Sequence, residues 1–170
     1  FRGTHTQAPN FAYALVTRKP PSSTLDLSCL QHAINAAEPV DAAVIDAFER
    51  FFGAKHGLRK GVVFPTYGLA ESTVLVCGNG VMRCTIDADS LRERRCVSSK
   101  EGVALVGCGA PRGDRDVTVK IVRIDDDDQG TATLGENEVG EIWVRSPSIA
   151  RGYWGVEDPS FGAAIDGESG

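Results

Sequence analysis

The segment between Asp41 and Gly57 has the periodicity of an amphipathic helix. Aspartate is a favoured N-cap and glycine often ends a helix, so Asp41 and either Gly53 or Gly57 set its limits. The apolar side chains recur at helical spacing and form one stripe, made of Val44, Ile45, Phe48, Phe51 and Phe52. The segment is therefore predicted to be a helix that buries one face.

Short apolar runs on both sides of this helix predict strands. They lie within residues 33–40, where a short strand leads into a turn, and at 61–64, 103–106, 117–124 and 138–145. A second helical pattern covers residues 8–19. Residues 74–77 and 81–86 flank Asn79-Gly80, a pair that suits a two-residue turn, so they are predicted to form a hairpin. The predicted fold class is α/β, with a mixed α/β part passing into a β-rich subdomain.

Composition and charge exclude several classes of function. The 170 residues carry a net charge of −5, which argues against nucleic-acid binding because that depends on basic patches. The apolar runs are far too short to span a membrane. The five cysteines are irregularly spaced, so neither a disulfide framework nor a zinc site is expected, and a cytoplasmic location fits this usage. Four consecutive aspartates at 125–128 predict a solvated loop between two strands, with a cation site as the alternative.

Residues 64–73 carry the strongest chemical signal, and read Phe-Pro-Thr-Tyr-Gly-Leu-Ala-Glu-Ser-Thr. Tyr67 ends a predicted strand, and Gly68 lets the backbone approach a ligand closely. Glu71 follows four residues after the tyrosine, a separation that puts two side chains on one face of a helix. An aromatic ring and a carboxylate placed in this way suit a nucleobase and a magnesium ion. The alternative is a packed tyrosine beside an exposed glutamate.

Three further segments accompany this motif. Gly-Thr-His-Thr-Gln-Ala-Pro-Asn-Phe-Ala-Tyr stands at 3–13, and Ile-Asn-Ala-Ala-Glu-Pro-Val at 34–40. Gly-Glu-Ile-Trp-Val-Arg-Ser-Pro-Ser-Ile-Ala-Arg-Gly-Tyr-Trp stands at 140–154. In this order the four segments resemble the adenylate-forming, AMP-binding superfamily, and the fatty acyl-AMP ligases in particular. The resemblance covers nearly the whole chain and implies part of the large N-terminal domain of such an enzyme.

The resemblance implies a role for each matching residue. Tyr67 is expected to stack on the adenine, with Thr66 and Gly68 along the nucleotide, and Glu71 to coordinate magnesium. The turn that packs on the other side of the adenine matches Ala36, Ala37 and Glu38. His5 matches a catalytic residue near the acyl carboxylate and the α-phosphate, with a core or capping histidine as the alternative. The acyl-binding tunnel is implied to lie near Gln7, Asn10 and Phe11.

The implied reaction uses ATP and Mg²⁺ to convert a fatty acid into acyl-AMP and pyrophosphate, for transfer to an acyl carrier protein or polyketide synthase. Residues 1–77 are expected to form the α/β nucleotide-site segment and 102–170 the β-rich segment. Residues 78–101, which contain Arg92, Arg94 and Arg95, correspond to an insertion associated with withholding the acyl group from coenzyme A.

Other parts of such enzymes are expected outside this chain. The phosphate loop would precede Phe1, and a Thr-Gly-Asp segment and a small domain with a catalytic lysine would follow Gly170. The chain alone is therefore expected to be an inactive piece of the enzyme. Two alternatives remain open: an acyl-CoA ligase or peptide-synthetase adenylation domain, and a non-catalytic, lipid-sensing or regulatory ligase-like module.

Overall fold

The computed structural model describes residues 2–111, 113, 116–123 and 132–164, so the aspartates at 125–128 lie outside the described residues. The chain divides into two units. The first comprises Phe1–Gly68, Cys77–Cys84 and Ala104–Ala110, and the second Leu69–Val76, Thr85–Val103 and Pro111–Gly170. Within the described ranges, no helix has the length and apolar character needed to cross a membrane.

A three-stranded parallel sheet forms the centre of the first unit. Its strands are β1 (His5–Ala8), β2 (His32–Asn35) and β3 (Val63–Pro65), in that order across the sheet. Parallel neighbours need crossover connections, and α1 (Asn10–Arg18) and α2 (Ala42–His56) provide them. Ala8, Asn35 and Pro65 are paired in register, so the three strands end at one edge. The α/β class predicted from the sequence is confirmed.

The limits of α2 follow the capping signals in the sequence. The carboxylate of Asp41 accepts a hydrogen bond from the Ala43 amide at 2.8 Å, and Gly57 ends the helix in the left-handed conformation with φ 71°. The Tyr13 ring of α1 packs edge-on against Phe48 of α2, with ring centroids 5.0 Å apart. Around this contact lies the buried core of the unit: Tyr13, Leu30, Ala33, Ile45, Phe48, Phe52, Leu58, Val62 and Val63.

The hairpin predicted around Asn79-Gly80 is wrong. Strand β4 (Cys77–Gly78) pairs with β7 (Ala110–Pro111), and β5 (Arg83–Ile86) pairs with β6 (Val103–Val106). The Gly80 amide donates to the Pro65 carbonyl at 3.0 Å, and a Cβ on Gly80 would lie 2.0 Å from the Gly107 carbonyl oxygen. The glycine is therefore needed for close packing against other segments, and not for reversing the chain.

The second unit contains an antiparallel pair, β8 (Thr118–Val122) and β9 (Glu141–Arg145). These strands match the runs predicted at 117–124 and 138–145, although both are shorter. Among its described residues are also α3 (Ala88–Arg92) and the 3-10 turns Ala70–Ser72 and Pro159–Gly162.

Candidate functional site

Three of the segments implied in ligand binding follow the carboxyl ends of the parallel strands. Asn10 and Phe11 come after β1, residues 36–38 after β2, and residues 66–68 after β3. Backbone hydrogen bonds hold these segments together: the Ala36 amide donates to Ala8 O at 3.3 Å, and the Thr66 amide to Asn35 O at 3.1 Å. The carboxyl edge of a parallel sheet is where open α/β folds bind their ligands.

The polar side chains of Asn10 and Glu38 form hydrogen bonds next to this edge of the sheet. The Asn10 Oδ1 atom accepts from Asn35 Nδ2 at 3.0 Å and from the Asp41 amide at 3.3 Å. The Glu38 carboxylate accepts from the Phe11 amide in the first turn of α1, where a negative charge is favourable. Both side chains, implied to contact ligands, thus also connect helices to strand ends.

Asn35 is a residue that sequence reasoning missed. It is fully buried at the end of β2, and its Oδ1 atom has no hydrogen-bond partner among the described residues. A buried acceptor without a partner is costly, typically about 1–3 kcal/mol. Only its place in the quoted segment at 34–40 could have drawn attention to it, because Asn is not distinctive at the end of a strand.

The turn after β2 has an unusual backbone. Ala37 has φ 70°, a left-handed conformation that is unfavourable for residues other than glycine. Strain of this kind concentrates at ligand-binding segments, where the surrounding structure enforces it. The strand predicted within residues 33–40 ends at Asn35 and leads into this turn, as expected.

Tyr67 lies in an extended segment of the first unit. Its backbone exchanges two hydrogen bonds with Cys77, at 3.0 Å and 2.9 Å, and its side chain is partly buried. The helical turn begins only at Ala70, so the argument that Tyr67 and Glu71 share a helix face is wrong. Glu71 belongs to the second unit and is held there by other contacts.

The Glu71 side chain has a partner from far along the chain. The Tyr153 hydroxyl donates a hydrogen bond to Glu71 Oε1. This bond lowers the pKa of Glu71, with a further contribution from the glutamate's own backbone amide, and it also raises the pKa of Tyr153. The carboxylate is therefore ionised and the phenol protonated at neutral pH. No local pattern could have found Tyr153, which stands 82 residues from its partner.

The Glu71 carboxylate is a suitable ligand for a magnesium ion. Magnesium is commonly bound through one or two carboxylates and completes its shell with water and phosphate oxygens. Across the part of the chain that the structure describes, no three or more His, Cys, Asp or Glu side chains gather as a metal cluster. Glu71 therefore offers a single carboxylate to such an ion.

The backbone that follows the 3-10 turn of Glu71 is strained. Thr73 has φ 52° and Val74 has φ 81°, although both are β-branched residues that disfavour the left-handed region. The Thr73 amide donates to Ala70 O at 3.1 Å and the Val74 amide to Leu69 O at 3.0 Å. These bonds, all inside the second unit, keep the turn in a conformation that the sequence alone disfavours.

His5 is not brought to the edge where the other segments meet. It begins β1, so it lies about 10 Å from the carboxyl end at roughly 3.3 Å per residue. Its ring stacks on His32 at 4.8 Å and its Nδ1 atom lies 2.8 Å from Thr4 Oγ1. Gln7 follows two residues later and shares its face of the sheet. The catalytic role implied for His5 stays a prediction.

Comparisons with known proteins identify the family to which the chain belongs. The family model described as AMP-binding enzyme matches residues 2–154. The chain is 37% identical to the medium-chain-fatty-acid–[acyl-carrier-protein] ligase JamA of Moorena producens, over 91% of this chain and 27% of that protein. It thus spans about a quarter of the length of the curated relatives it matches.

Two solved structures from Legionella pneumophila are also similar. The fatty acid AMP ligase superposes with a TM-score of 0.84 at 30% identity, covering 99% of this chain and 30% of that one. The fatty acyl-adenylate ligase in complex with acyl adenylate and pyrophosphate gives a TM-score of 0.79 at 31% identity, covering 91% of this chain and 28% of the other.

Proposed function

The chain belongs to the AMP-binding enzyme family, and we propose that the protein of which it is part activates a fatty acid with ATP, releasing acyl-AMP and pyrophosphate. The observation that carries this proposal is the meeting of residues 36–38 and 66–68 at the carboxyl edge of one parallel sheet. The likeness to the fatty acid AMP ligase of L. pneumophila supports the same reaction.

The chemistry needs two negatively charged groups to be brought together. A carboxylate oxygen of the fatty acid attacks the α-phosphorus of ATP, a new P–O bond forms, and the bond from that phosphorus to the bridging oxygen breaks as pyrophosphate leaves. Placement and electrostatic stabilisation lower this barrier more than any covalent step by the protein. Magnesium, when bound, neutralises charge on the phosphates.

We assign the nucleotide contacts to the segments at the sheet edge. Tyr67 stacks on the adenine, Thr66 and Gly68 follow the nucleotide, and the small side chains of Ala36 and Ala37 leave room for the base on its other face. Glu38 secures the turn through its bond to the first turn of α1. Glu71 supplies the carboxylate that holds magnesium. Gln7, Asn10 and Phe11 remain assigned to the acyl tunnel by resemblance.

The proposed acceptor is an acyl carrier protein or polyketide synthase. The name of JamA, an acyl-carrier-protein ligase, supports this choice. Residues 78–101 are proposed to be the insertion that disfavours coenzyme A. The arginines of this stretch include Arg92, paired with Asp89, and Arg95, whose Nη2 atom lies 2.7 Å from Glu93. Strands β4 and β5 begin in or near this stretch, so its deletion would also remove strand pairing.

The proposal is tested on the full-length protein with Tyr67→Ala, Glu71→Ala and the double variant. Loss of base stacking is expected to weaken ATP binding about tenfold, since stacking contributes about 1–3 kcal/mol. Loss of the carboxylate is expected to slow pyrophosphate release by on the order of 100-fold, because metal-assisted charge stabilisation contributes several kcal/mol.

The matched control is Glu93→Ala, which removes an exposed carboxylate of a surface ion pair and should change neither quantity. Unaltered ATP binding and catalysis in the double variant would refute the assignment. Supplying coenzyme A or a holo acyl carrier protein to the unmodified enzyme then identifies the acceptor. Preferential thioester formation on coenzyme A would contradict the proposed role of residues 78–101.

A further inference from the structure

Three consecutive residues are hydrogen-bonded to one distant segment, residues 148–153: Glu71 and Ser72 of the 3-10 turn, and Thr73 directly after it. The Ala150 amide donates to Glu71 O at 2.7 Å. The Ser148 hydroxyl donates to Ser72 O at 3.3 Å, and the Thr73 hydroxyl donates to Ser148 O at 3.1 Å. All of these residues belong to the second unit, so the backbone of the turn is fixed from within that unit.

Tyr153 adds a contact to the Glu71 side chain itself. The Tyr153 ring packs edge-on against Phe161, with centroids 5.1 Å apart and planes at 87°. The hydroxyl then donates to Glu71 Oε1, a charge-assisted bond of the stronger kind. Gly152, just before the tyrosine, has φ 147°, a conformation that side chains rarely adopt. The backbone and the side chain of the turn are therefore both fixed by the same segment.

We propose that Tyr153 is a positioning residue for the magnesium-binding carboxylate, which it holds in one orientation through its hydroxyl. This inference rests on the proposed function. A glutamate side chain in a surface turn otherwise samples several rotamers, and ordering them at the moment of binding costs free energy. A hydrogen-bonded partner removes part of that cost, and such partners typically change metal affinity about 10- to 100-fold when they are lost.

Residues 148–153 thus have a proposed function, the support of the Glu71 carboxylate, that their sequence does not indicate. It contributes no implied ligand to nucleotide or acyl group, yet it contacts the Glu71 turn through Ser148, Ala150 and Tyr153. Its effect on the reaction is transmitted only through Glu71. Removing the Tyr153 hydroxyl should therefore have consequences that depend on magnesium and disappear when Glu71 is altered.

The test uses the full-length protein and the variant Tyr153→Phe, which keeps the ring against Phe161 and removes only the hydroxyl. ATP binding is measured by calorimetry over a range of Mg²⁺ concentrations, together with AMP binding without metal. The Mg²⁺ concentration for half-maximal ATP binding is expected to rise about tenfold, and metal-free AMP affinity to stay constant. Tyr13→Phe, which removes a hydroxyl bonded to Ile34 O, is the matched control and should leave the Mg²⁺ midpoint unchanged.

Glu71→Gln and the double variant Glu71→Gln/Tyr153→Phe complete a cycle. The proposal is supported if Glu71→Gln shifts the Mg²⁺ midpoint and if adding Tyr153→Phe to the Glu71→Gln variant causes no further shift. A shift with Glu71→Gln but none with Tyr153→Phe overturns this inference alone. No shift with either variant overturns the metal role of Glu71 as well. An equal loss of metal-free AMP binding in Tyr153→Phe shows a merely structural effect, and that result also rejects the positioning role.

Discussion

The two units hold their candidate residues by different physical means. In the first unit, residues 36–38 and 66–68 follow paired parallel strands supported by a buried aromatic and aliphatic core. In the second unit, Glu71 lies on a 3-10 turn that is followed by two strained residues and is fixed by hydrogen bonds with residues 148–153. One set of residues is thus placed by burial and strand register, and the other by a few polar contacts between distant segments.

The two kinds of contact contribute differently to the stability of the fold and to the orientation of individual side chains. Burial of large side chains stabilises a fold strongly but tolerates small shifts, because it is roughly proportional to area and not directional. Hydrogen bonds contribute about 1 kcal/mol each, yet they depend steeply on distance and angle. A flat base can be accepted by a rigid sheet edge, whereas a metal-binding carboxylate needs its orientation defined. Substitutions in the two units should therefore differ in what they change.

The largest expected effect is on the core of the first unit. Phe48→Ala should lower the free energy of unfolding by about 3–5 kcal/mol, because it removes a buried ring and leaves a cavity. The counterpart in the second unit is Val122→Ala, at a residue with 1% exposure, which should cost only about 2 kcal/mol. Urea unfolding of the full-length protein measures both. A loss for Val122→Ala as large as that for Phe48→Ala would contradict this order.

Tyr13 should make the stability of the first unit decrease at alkaline pH. Burial raises the pKa of its phenol from 10.0 to about 12. The unfolded chain therefore releases this proton at lower pH than the folded chain does. The stabilisation is fully present below pH 10 and is lost as the pH rises towards 12, by up to about 2–3 kcal/mol.

The comparison of Tyr13→Phe with the unmodified protein isolates this contribution from the other groups that titrate at high pH. Urea midpoints measured between pH 8 and pH 11 should fall less steeply in the variant. Parallel pH profiles would mean that the phenol ionises in the folded state as readily as in water, and that this part of the core is open to solvent.

The smallest expected effect is on a polar contact of the second unit. Thr73→Ala removes the hydroxyl that donates to Ser148 O, and should cost about 0.5–1 kcal/mol. Amide hydrogen exchange in residues 146–153 should accelerate severalfold, while the urea midpoint changes little. Thr73→Ser retains the donor and should exchange at the original rate. If Thr73→Ala instead lowers the midpoint as much as Val122→Ala does, the contact supports the whole unit and not only the turn.

Local patterns predicted those elements whose determinants are close in sequence. The apolar stripe and the capping residues Asp41 and Gly57 defined α2 correctly, since helices are organised by contacts within a few residues. The hairpin at Asn79-Gly80 failed because Gly80 packs on Pro65 and Gly107, which no local pattern reveals. The shared helix face of Tyr67 and Glu71 failed for a similar reason, because Tyr67 pairs with Cys77 as extended chain.

The sequence by itself determined the membership of the AMP-binding family and the α/β class. It also singled out the segments around Ala36, Tyr67 and Glu71 as the ones that match the family. Only the tertiary structure decided that the strand ends meet at one edge, that His5 stands apart from it, and that Tyr153 reaches Glu71. Residue types and short spacings specify local conformation and chemistry. Contacts between residues 75 to 82 positions apart depend on how the whole chain packs, and no window of sequence contains them.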